Sequence, residues 1–336
     1  MKMKKMLALA LAMAMSLSLV ACGSSDTHGE SAEEGVPQPN GYPSKTIDFI
    51  VPAPAGALMD LSTRALESVA DFGTKSVAIT NMPGASNTIG TTEIYGRPAD
   101  GYTLGMANLS SQICQPLRGN TEYSMEDFRH LAYVQNPEQM VLVASKDSGL
   151  ETFEQLVEKM SAGEEVFFTC ANAGAVAHLA MLGICDQLSL PAPTYVSYSG
   201  SAEVVSAILG NQVDIAVTDI TVAKEYYEAG EMTVLLTITD DVTTRMPDVP
   251  CAGDKGMSDM NFYTSPMWVV VHKDTPDEIV EWLKQQINEA ILSDEYQAYL
   301  ESSNMEPFTE ILTEEEITET LTGMYETYKV LYDKYF

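Results

Sequence analysis

Residues 46–60 read TIDFIVPAPAGALMD. An apolar strand over Thr46–Pro52 stops at Pro-Ala-Gly. A helix follows near Asp60, with Leu61, Ala65, Leu66 and Val69 at helical spacing. The same unit recurs along the chain. Ser76–Thr80 is a strand before NMPGASNTIG (81–90) and a helix start, and Tyr102–Ala107 is a third strand. Val141–Ser145 leads to an amphipathic helix at Thr152–Met160. Val166–Thr169 leads through ANAG to a helix from Ala175, and Thr194–Ser197 through SGS to a helix ending at Leu209. Val213–Val217, Val234–Thr239 and Met267–His272 are further strands. Helices over Thr275–Leu292, 294–303 and 313–334 close the chain. Strands alternating with helices predict α/β units with mostly parallel sheets, and two blocks of such units fit two domains better than one sheet. No internal sequence repeat is visible.

Four strand-to-helix junctions share a composition: Pro54-Ala55-Gly56, Pro83-Gly84-Ala85-Ser86-Asn87, Asn172-Ala173-Gly174 and Ser199-Gly200-Ser201. The first amides of a helix have no intrahelical partner and sit at the positive end of its dipole. Small side chains let a ligand reach them, and several such ends facing one cleft would hold a carboxylate without arginine or lysine. In open α/β sheets ligands bind beyond the carboxyl ends of the strands, where these loops lie. Gly, Asn and Ser also mark ordinary turns, so one loop alone is as well explained by turn chemistry.

The N-terminus sets the address. Lys2, Lys4 and Lys5 precede an apolar run ending in Leu19-Val20-Ala21-Cys22. This is the layout of a bacterial secretory signal over residues 1–21, too short and wrongly flanked for a membrane span. The Cys22 position resembles a lipobox, which implies cleavage before Cys22, diacylation of its thiol and stable anchoring at the extracytoplasmic face of the membrane. Residues 22–43, rich in Gly, Ser, Glu and Pro, read as a flexible linker after the lipidated cysteine.

The chain has 336 residues, 45% of them hydrophobic, enough for two ordinary domains with real cores. Its formal charge is −30. The signal holds three of the 18 basic residues, so the remainder is near −33 (15 against 48). Nucleic acid and anionic lipid surfaces are excluded as partners by that charge. An anionic ligand would need local donors that outweigh it within a screening length of about 8 Å. Cys114, Cys170, Cys185 and Cys251 have no metal spacing, and the four histidines (28, 130, 178, 272) form no metal motif. Disulfides and free buried thiols both remain open. No cofactor is expected.

Read together, several segments resemble the tripartite tricarboxylate transporter receptors, the Bug/TctC-type solute-binding proteins. They are VPAPAGALMD (51–60), NMPGASNTIG (81–90), RPADGYTLGM (97–106), TCANAGAVAHLA (169–180), VSYSGSAEVVSAILGNQVDI (196–215), RMPDVP (245–250) and the strand of Trp268. The resemblance runs in order from about Tyr42 to the C-terminus. It implies a two-lobed fold of the periplasmic-binding-protein type II kind, with two α/β domains joined by two crossovers. The implied domains are 44–140 with 263–336, and 141–262, hinged near 138–146 and 262–272. It further implies a monomeric receptor that closes on a small organic carboxylate and delivers it to a membrane permease with one large and one small subunit. By position, the implied ligand contacts are Ala55, Gly56, Ala57, Leu58, Met59, Ser86, Asn87, Asn108, Asn172, Ala173, Gly174, Ala175, Tyr198 and Gly200, with Asp219 after a strand of the second domain.

The chain departs from the family pattern. Ala57, Leu58 and Met59 replace a second glycine and a small residue. Ser86-Asn87 and Met82 replace paired glycines and an arginine, and Cys170 and Ala173 stand for serine and asparagine. With Leu58 and Met59 facing inward, the pocket suits a mono- or dicarboxylate with an apolar or aromatic body better than citrate. Asp60 fits a helix cap or first-turn acid as well as a ligand contact. His178 fits a packing or capping role, Tyr198 a ligand contact or a packed interface, and Trp268 core near a crossover. Three rival classes remain: a sensing or surface lipoprotein without a transport role, a binding protein for another transporter class, and a hydrolase using Cys170 and His178. The hydrolase requires a hydrogen-bonded nucleophile and base, and a separation of eight residues across a loop and a helix start says nothing about that contact.

Overall fold

A computed structural model describes residues 35–73, 76–198 and 200–336. The secretory signal, Cys22 and the first part of the expected linker lie outside these residues; the end of that linker is instead folded, with Tyr42 buried, edge-on to Trp282 and donating to the Gly101 carbonyl at 2.6 Å. Residues Val36–Phe336 form one unit built on two five-stranded sheets. The strands are β1 (Ile47–Val51), β2 (Val77–Asn81), β3 (Thr103–Asn108), β4 (Phe128–Gln135), β5 (Met140–Ser145), β6 (Phe167–Thr169), β7 (Thr194–Tyr195), β8 (Ile215–Asp219), β9 (Met232–Thr237) and β10 (Met267–His272). The helices are α1 (Leu58–Val69), α2 (Thr88–Gly96), a short α3 (Gln115–Leu117), α4 (Phe153–Ser161), α5 (Val176–Gln187), α6 (Ser201–Leu209), α7 (Ile220–Glu228), α8 (Asp277–Ile291), α9 (Asp294–Ser302) and α10 (Glu314–Tyr335).

Sheet I runs β2-β1-β3-β10-β4 and sheet II runs β7-β6-β8-β5-β9. Counted along the chain within each block, both orders are 2-1-3, then a crossover strand, then 4. One topology is therefore built twice from sequences without a visible repeat. The sheets are mixed, against the expectation of mostly parallel pairing. β1 pairs β2 and β3 in parallel, as β6 pairs β7 and β8. The crossover strands β10 and β5 are antiparallel to both their neighbours. Each enters its sheet from the other block, so its direction is not set by a βαβ unit.

β4 was not legible in the sequence. Its stretch FRHLAYVQ carries Arg129 and His130, which interrupt an apolar pattern, yet seven of its eight residues are buried. Distant partners settle both. Arg129 Nε and the carboxylate of Glu314 lie 2.7 Å apart at the start of α10, and Arg129 also bonds Asp277 at the start of α8. His130 Nδ1 accepts a hydrogen bond from Trp268 Nε1 at 3.0 Å.

Each sheet is covered on both faces. One face of sheet I packs Phe49, Leu104 and Val269 against Leu66 of α1, Leu283 of α8 and Leu300 of α9. One face of sheet II packs Val143 and Ala216 against Val204 of α6 and Ala223 of α7. The remaining faces share one apolar cluster, which includes Ile50 and Trp268 of sheet I, Leu142 and Phe168 of sheet II, Leu179 of α5 and Leu321, Met324 and Tyr328 of α10. α10 begins on sheet I through Glu314 and ends beside sheet II. Tyr328 Oη donates to the Phe262 carbonyl at 2.6 Å, Tyr332 bonds the Gly174 carbonyl, and Lys334 pairs with Asp186 of α5.

Capping boxes start α4 (Thr152 with Gln155) and α10 (Thr313 with Glu316), as expected for such pairs ahead of helical runs. Cys114, Cys170, Cys185 and Cys251 are all buried free thiols. No helix among the described residues is long and apolar enough to cross a membrane.

Candidate functional site

A cleft of about 290 Å³ opens where the two sheets present the same edge to each other. From sheet I it is lined by Leu58 after β1, Asn108 at the end of β3 with Leu109 and Ser110, and Gln135 at the end of β4. From sheet II come Ala171 after β6, Ala175, Val176 and Ala177 at the start of α5, Ser201 at the start of α6, Val217–Asp219 at the end of β8, and Met140 opening β5. The floor is Thr264–Met267. There the two crossovers run side by side: Gln139 bridges Thr264, Met267 pairs with Gln135, and Ser265 N donates to the Glu138 carbonyl at 3.1 Å. No arginine, lysine or histidine is among the lining residues.

Of the expected contacts, Leu58, Asn108, Ala175 and Asp219 line this cleft. The others are held elsewhere. Met59 turns inward and is 5% exposed in the core of sheet I, because one residue along α1 turns its side chain about 100° away from that of Leu58. Ala57 packs at the edge of that core, while Ala55 and Gly56 stay on the exposed loop. The Gly56 amide is not free for a ligand. It donates to Asp60 Oδ2 at 2.8 Å, and Asp60 also takes Arg64 Nε at 3.0 Å and Asn81 Nδ2 at 3.0 Å.

The Arg64 hydrogen bond, with those from Gly56 and Asn81, holds the Asp60 carboxyl down at about 2. Asp60 is thus the structural acid of this loop. A carboxylate whose acidity is raised by folding stabilises the fold above its unfolded value, and that contribution fades as pH falls through about 2. Asp60→Asn should cost about 1–2 kcal/mol at pH 7, the Coulombic part being reduced because Arg64 is half exposed. Urea unfolding of the variant at pH 7 measures it, and an unchanged midpoint would contradict the assignment.

The second glycine loop repeats the device. Gly174 N donates to His178 Nδ1 at 3.0 Å, again a side chain four residues on. His178 stacks on Tyr195 at 4.5 Å between centroids, and burial pushes its imidazole down to about 4. His178 therefore caps and packs. Ala173 gives its carbonyl to Arg118, Gly174 is closed in by Arg118 and Phe336, and Asn172 is exposed with its carbonyl taken by Ala175 N. Tyr198 turns to the far face of sheet II and donates to Gln212 at 3.0 Å, and Gly200 gives its carbonyl to Glu203 and Val204. Ser86 and Asn87 sit on a loop where Ala85, Ser86 and Asn87 all have positive φ. Asn87 bonds the Pro52 carbonyl and accepts from Asn108 Nδ2 at 3.3 Å, which ties this loop to the lining residue Asn108.

Two side-chain caps thus consume the amides of Gly56 and Gly174, and the amides of Ala57 and Ala175 bond the Pro54 and Asn172 carbonyls. Among the described residues, the amides of Val176 and Ala177 in the first turn of α5 have no protein partner, and neither does that of Leu58 in α1. The lining residues that the sequence reading missed are chiefly Gln135, Met140, Thr218 and Thr264–Met267. Most of them lie in or beside the segments 138–146 and 262–272, where the two crossovers were expected.

Cys170 and His178 do not address each other. The Cys170 thiol donates to the Asn172 carbonyl, and burial pushes it up to about 12. No group of three metal-ligating side chains occurs among the described residues.

Two sheets of one strand order, joined by two crossovers that floor a cleft between their matching edges, define a two-lobed solute-binding protein of the periplasmic type. A profile described as "Tripartite tricarboxylate transporter family receptor" matches residues 63–316. The chain belongs to that receptor family. It is 29% identical to Protein BugT of Bordetella pertussis over 75% of this chain and 78% of the relative. A TctC solute-binding protein from Polaromonas has the same fold, with a TM-score of 0.75 at 22% identity, covering 87% of this chain and 99% of that one. Two R. palustris proteins share it at TM-score 0.67. MatC, solved with bound malate, is 19% identical over 87% of this chain and all of its own, and a second, solved with adipate, is 20% identical over 86% and 97%.

Proposed function

We propose that this receptor captures a small organic carboxylate in the cleft and hands it to a tripartite permease of one large and one small subunit. The observation that carries this reading is the unpartnered first turn of α5 beside the start of α6, in a cleft whose lining has no cationic side chain. Such amides bind a carboxylate through aligned N–H groups and the helix dipole. Small residues at Ala171, Ala175, Ala177 and Ser201 leave the approach open. Malate and adipate in the R. palustris relatives agree with an acid of this size. Leu58, Val176, Met140 and Met267 give the cleft an apolar wall, which favours a mono- or dicarboxylate over citrate.

The lobes in this reading are 44–140 with 263–336, and 141–262. Contacts from both favour the closed state by their difference in affinity between open and closed forms. Lipid on Cys22 would hold the receptor at the extracytoplasmic face, tethered by the residues between Cys22 and the folded unit that begins at Val36. Neither catalysis nor a cofactor enters this function.

Thermal unfolding against a panel of mono-, di- and tricarboxylates tests it. A ligand at one hundred times its Kd adds about 2.7 kcal/mol of stability, and a panel that leaves the melting temperature unmoved refutes the reading. Ala177→Asp sharpens the test. An acid in the first turn of a helix is neutral to stabilising by about 0.3–1 kcal/mol, so the variant should melt no lower than the wild type. It should bind the best acid of the panel about 100-fold more weakly, since a carboxylate would then oppose a carboxylate at close range.

A further inference from the structure

The cleft differs in hydrogen-bonding character from one side to the other. Over β7 and β6 it presents the starts of α6 and α5, which are donors. The next strands in sheet II are β8 and β5, and here the cleft presents acceptors. Asp219 ends β8, and its carboxylate accepts no hydrogen bond among the described residues, although it stands at the start of α7. It caps none of the first-turn amides of α7: Ile220 N bonds the Gln139 carbonyl and Thr221 N bonds Glu138. Gln135 is 4% exposed. Its Nε2 donates to the Ser265 carbonyl at 3.2 Å, which fixes the amide orientation and leaves Oε1 without a partner. Thr264, 5% exposed, has an unpartnered hydroxyl.

Three polar groups at one end of a cleft, two of them buried and unsatisfied, mark a place where a ligand supplies the missing partners. The charged groups that act on Asp219 do not supply them. Arg245 is engaged by Glu138 at 2.9 Å and by the Thr221 hydroxyl, so the pair presents little net charge to it. A second carboxylate on the ligand would lie against Asp219 with no lining cation to separate them. Neighbouring strands are about 4.8 Å apart, so donors over β6 are separated by about 5 Å from Asp219 on β8 and by about 10 Å from Thr264, which Gln139 bridges ahead of β5, while Gln135 reaches the same end from β4 of sheet I. That is the span of a small substituted acid.

Building on the carboxylate reading of the same cleft, we infer that the ligand is an acid carrying a hydrogen-bond donor, an amino or hydroxyl group. Its carboxylate lies at the starts of α5 and α6 and its donor faces Asp219, Gln135 and Thr264.

Calorimetric titration at pH 7.5 with two matched sets tests this. One set is succinate, malate and aspartate. The other is propionate, lactate and alanine. Within a set the members differ in one substituent. In at least one set, the amino or hydroxy member should bind ten times or more tighter than the unsubstituted acid. Asp219→Asn and Thr264→Val, which keep side-chain size, should each shrink that ratio, Asp219→Asn to under threefold. Their melting curves establish that they are folded. For the preferred ligand, affinity should fall from pH 7.5 to 5.5 as Asp219 takes up a proton. An unsubstituted acid that binds as tightly as its substituted partners overturns the inference and leaves the receptor reading intact. So does a diacid whose binding tightens on acidification, because Asp219 would then be the donor. If no acid in either set binds, nor any in the carboxylate panel, both readings fail together.

Discussion

Trp268→Ala should cost about 4–5 kcal/mol of folding stability, the top of the range for emptying a buried indole site. Trp268 is fully buried on β10, the strand that sheet I holds between β3 and β4. Its ring meets His130 and Tyr133 edge to face, each at 6.1 Å between centroids. The truncation leaves a cavity and an orphaned His130 Nδ1, two separate losses. Trp268→Phe isolates the second, at about 1–2 kcal/mol for a hydrogen bond with a buried acceptor left unpaired, plus a smaller packing loss. Urea unfolding at pH 7 reads both variants. If Trp268→Ala lowered stability by less than 2 kcal/mol, Trp268 would not anchor the core that the two sheets share.

Acid should destabilise the wild type by about 3–4 kcal/mol between pH 6.5 and 4. His130 and His178 are each pushed down to about 4, both chiefly by burial, and each uses Nδ1 as an acceptor in its neutral form. A histidine whose folded value lies below its unfolded one stabilises the fold above about 6.5, and this is lost as pH falls toward 4. At about 1.4 kcal/mol per unit, each histidine accounts for roughly 3 kcal/mol. Asp219 works in the opposite sense. Burial, then the Glu138 charge, pushes its carboxyl up to about 6, so the fold gains roughly 3 kcal/mol as pH falls from 6 to 4. The net loss is therefore near that of one histidine. Asp219→Asn removes the offset and should steepen the decline to about 6 kcal/mol. His178→Asn, which retains an acceptor near the Gly174 amide, should flatten it. Unfolding free energies at pH 7, 5.5 and 4.5 decide the matter. A wild-type profile that is level across this range, or an unaltered slope in Asp219→Asn, is incompatible with the buried neutral histidines.

Much of the architecture was legible because it is written locally. Small residues between an apolar run and a helical period placed the junctions after β1, β2, β6 and β7, and the starts of α4 and α10 carry their own capping pairs. What could not be read depends on partners far along the chain. Arg129 and His130 make β4 look polar until Glu314 and Trp268 are brought to them. The direction of β10 and β5 follows from crossing between blocks, and nothing in MWVVVH or MVLVAS specifies it.

The candidate site was legible in outline for the same reason. The junctions named the right loops, and Leu58, Asn108, Ala175 and Asp219 line the cleft. Within a loop, the side chain that fills the cleft depends on what its neighbours consume. Asp60 and His178 reach back to cap Gly56 and Gly174, so the open amides lie two or three residues beyond those glycines, in the first turns of the helices. Gln135 and Thr264 carried no signal, since an amide and a hydroxyl become informative once burial leaves them unpaired.

The position of β10 has a consequence for biosynthesis. Every strand of sheet II lies between Met140 and Thr237, so in a chain that emerges N-terminus first that sheet can close before the residues after Thr237 have appeared. Sheet I cannot, because β3 and β4 do not touch each other and must wait for residues 267–272 to fill the gap between them. The emerging chain accordingly exposes two unsatisfied strand edges from the completion of β4 until β10 arrives, and the half that emerges first is the last to be completed.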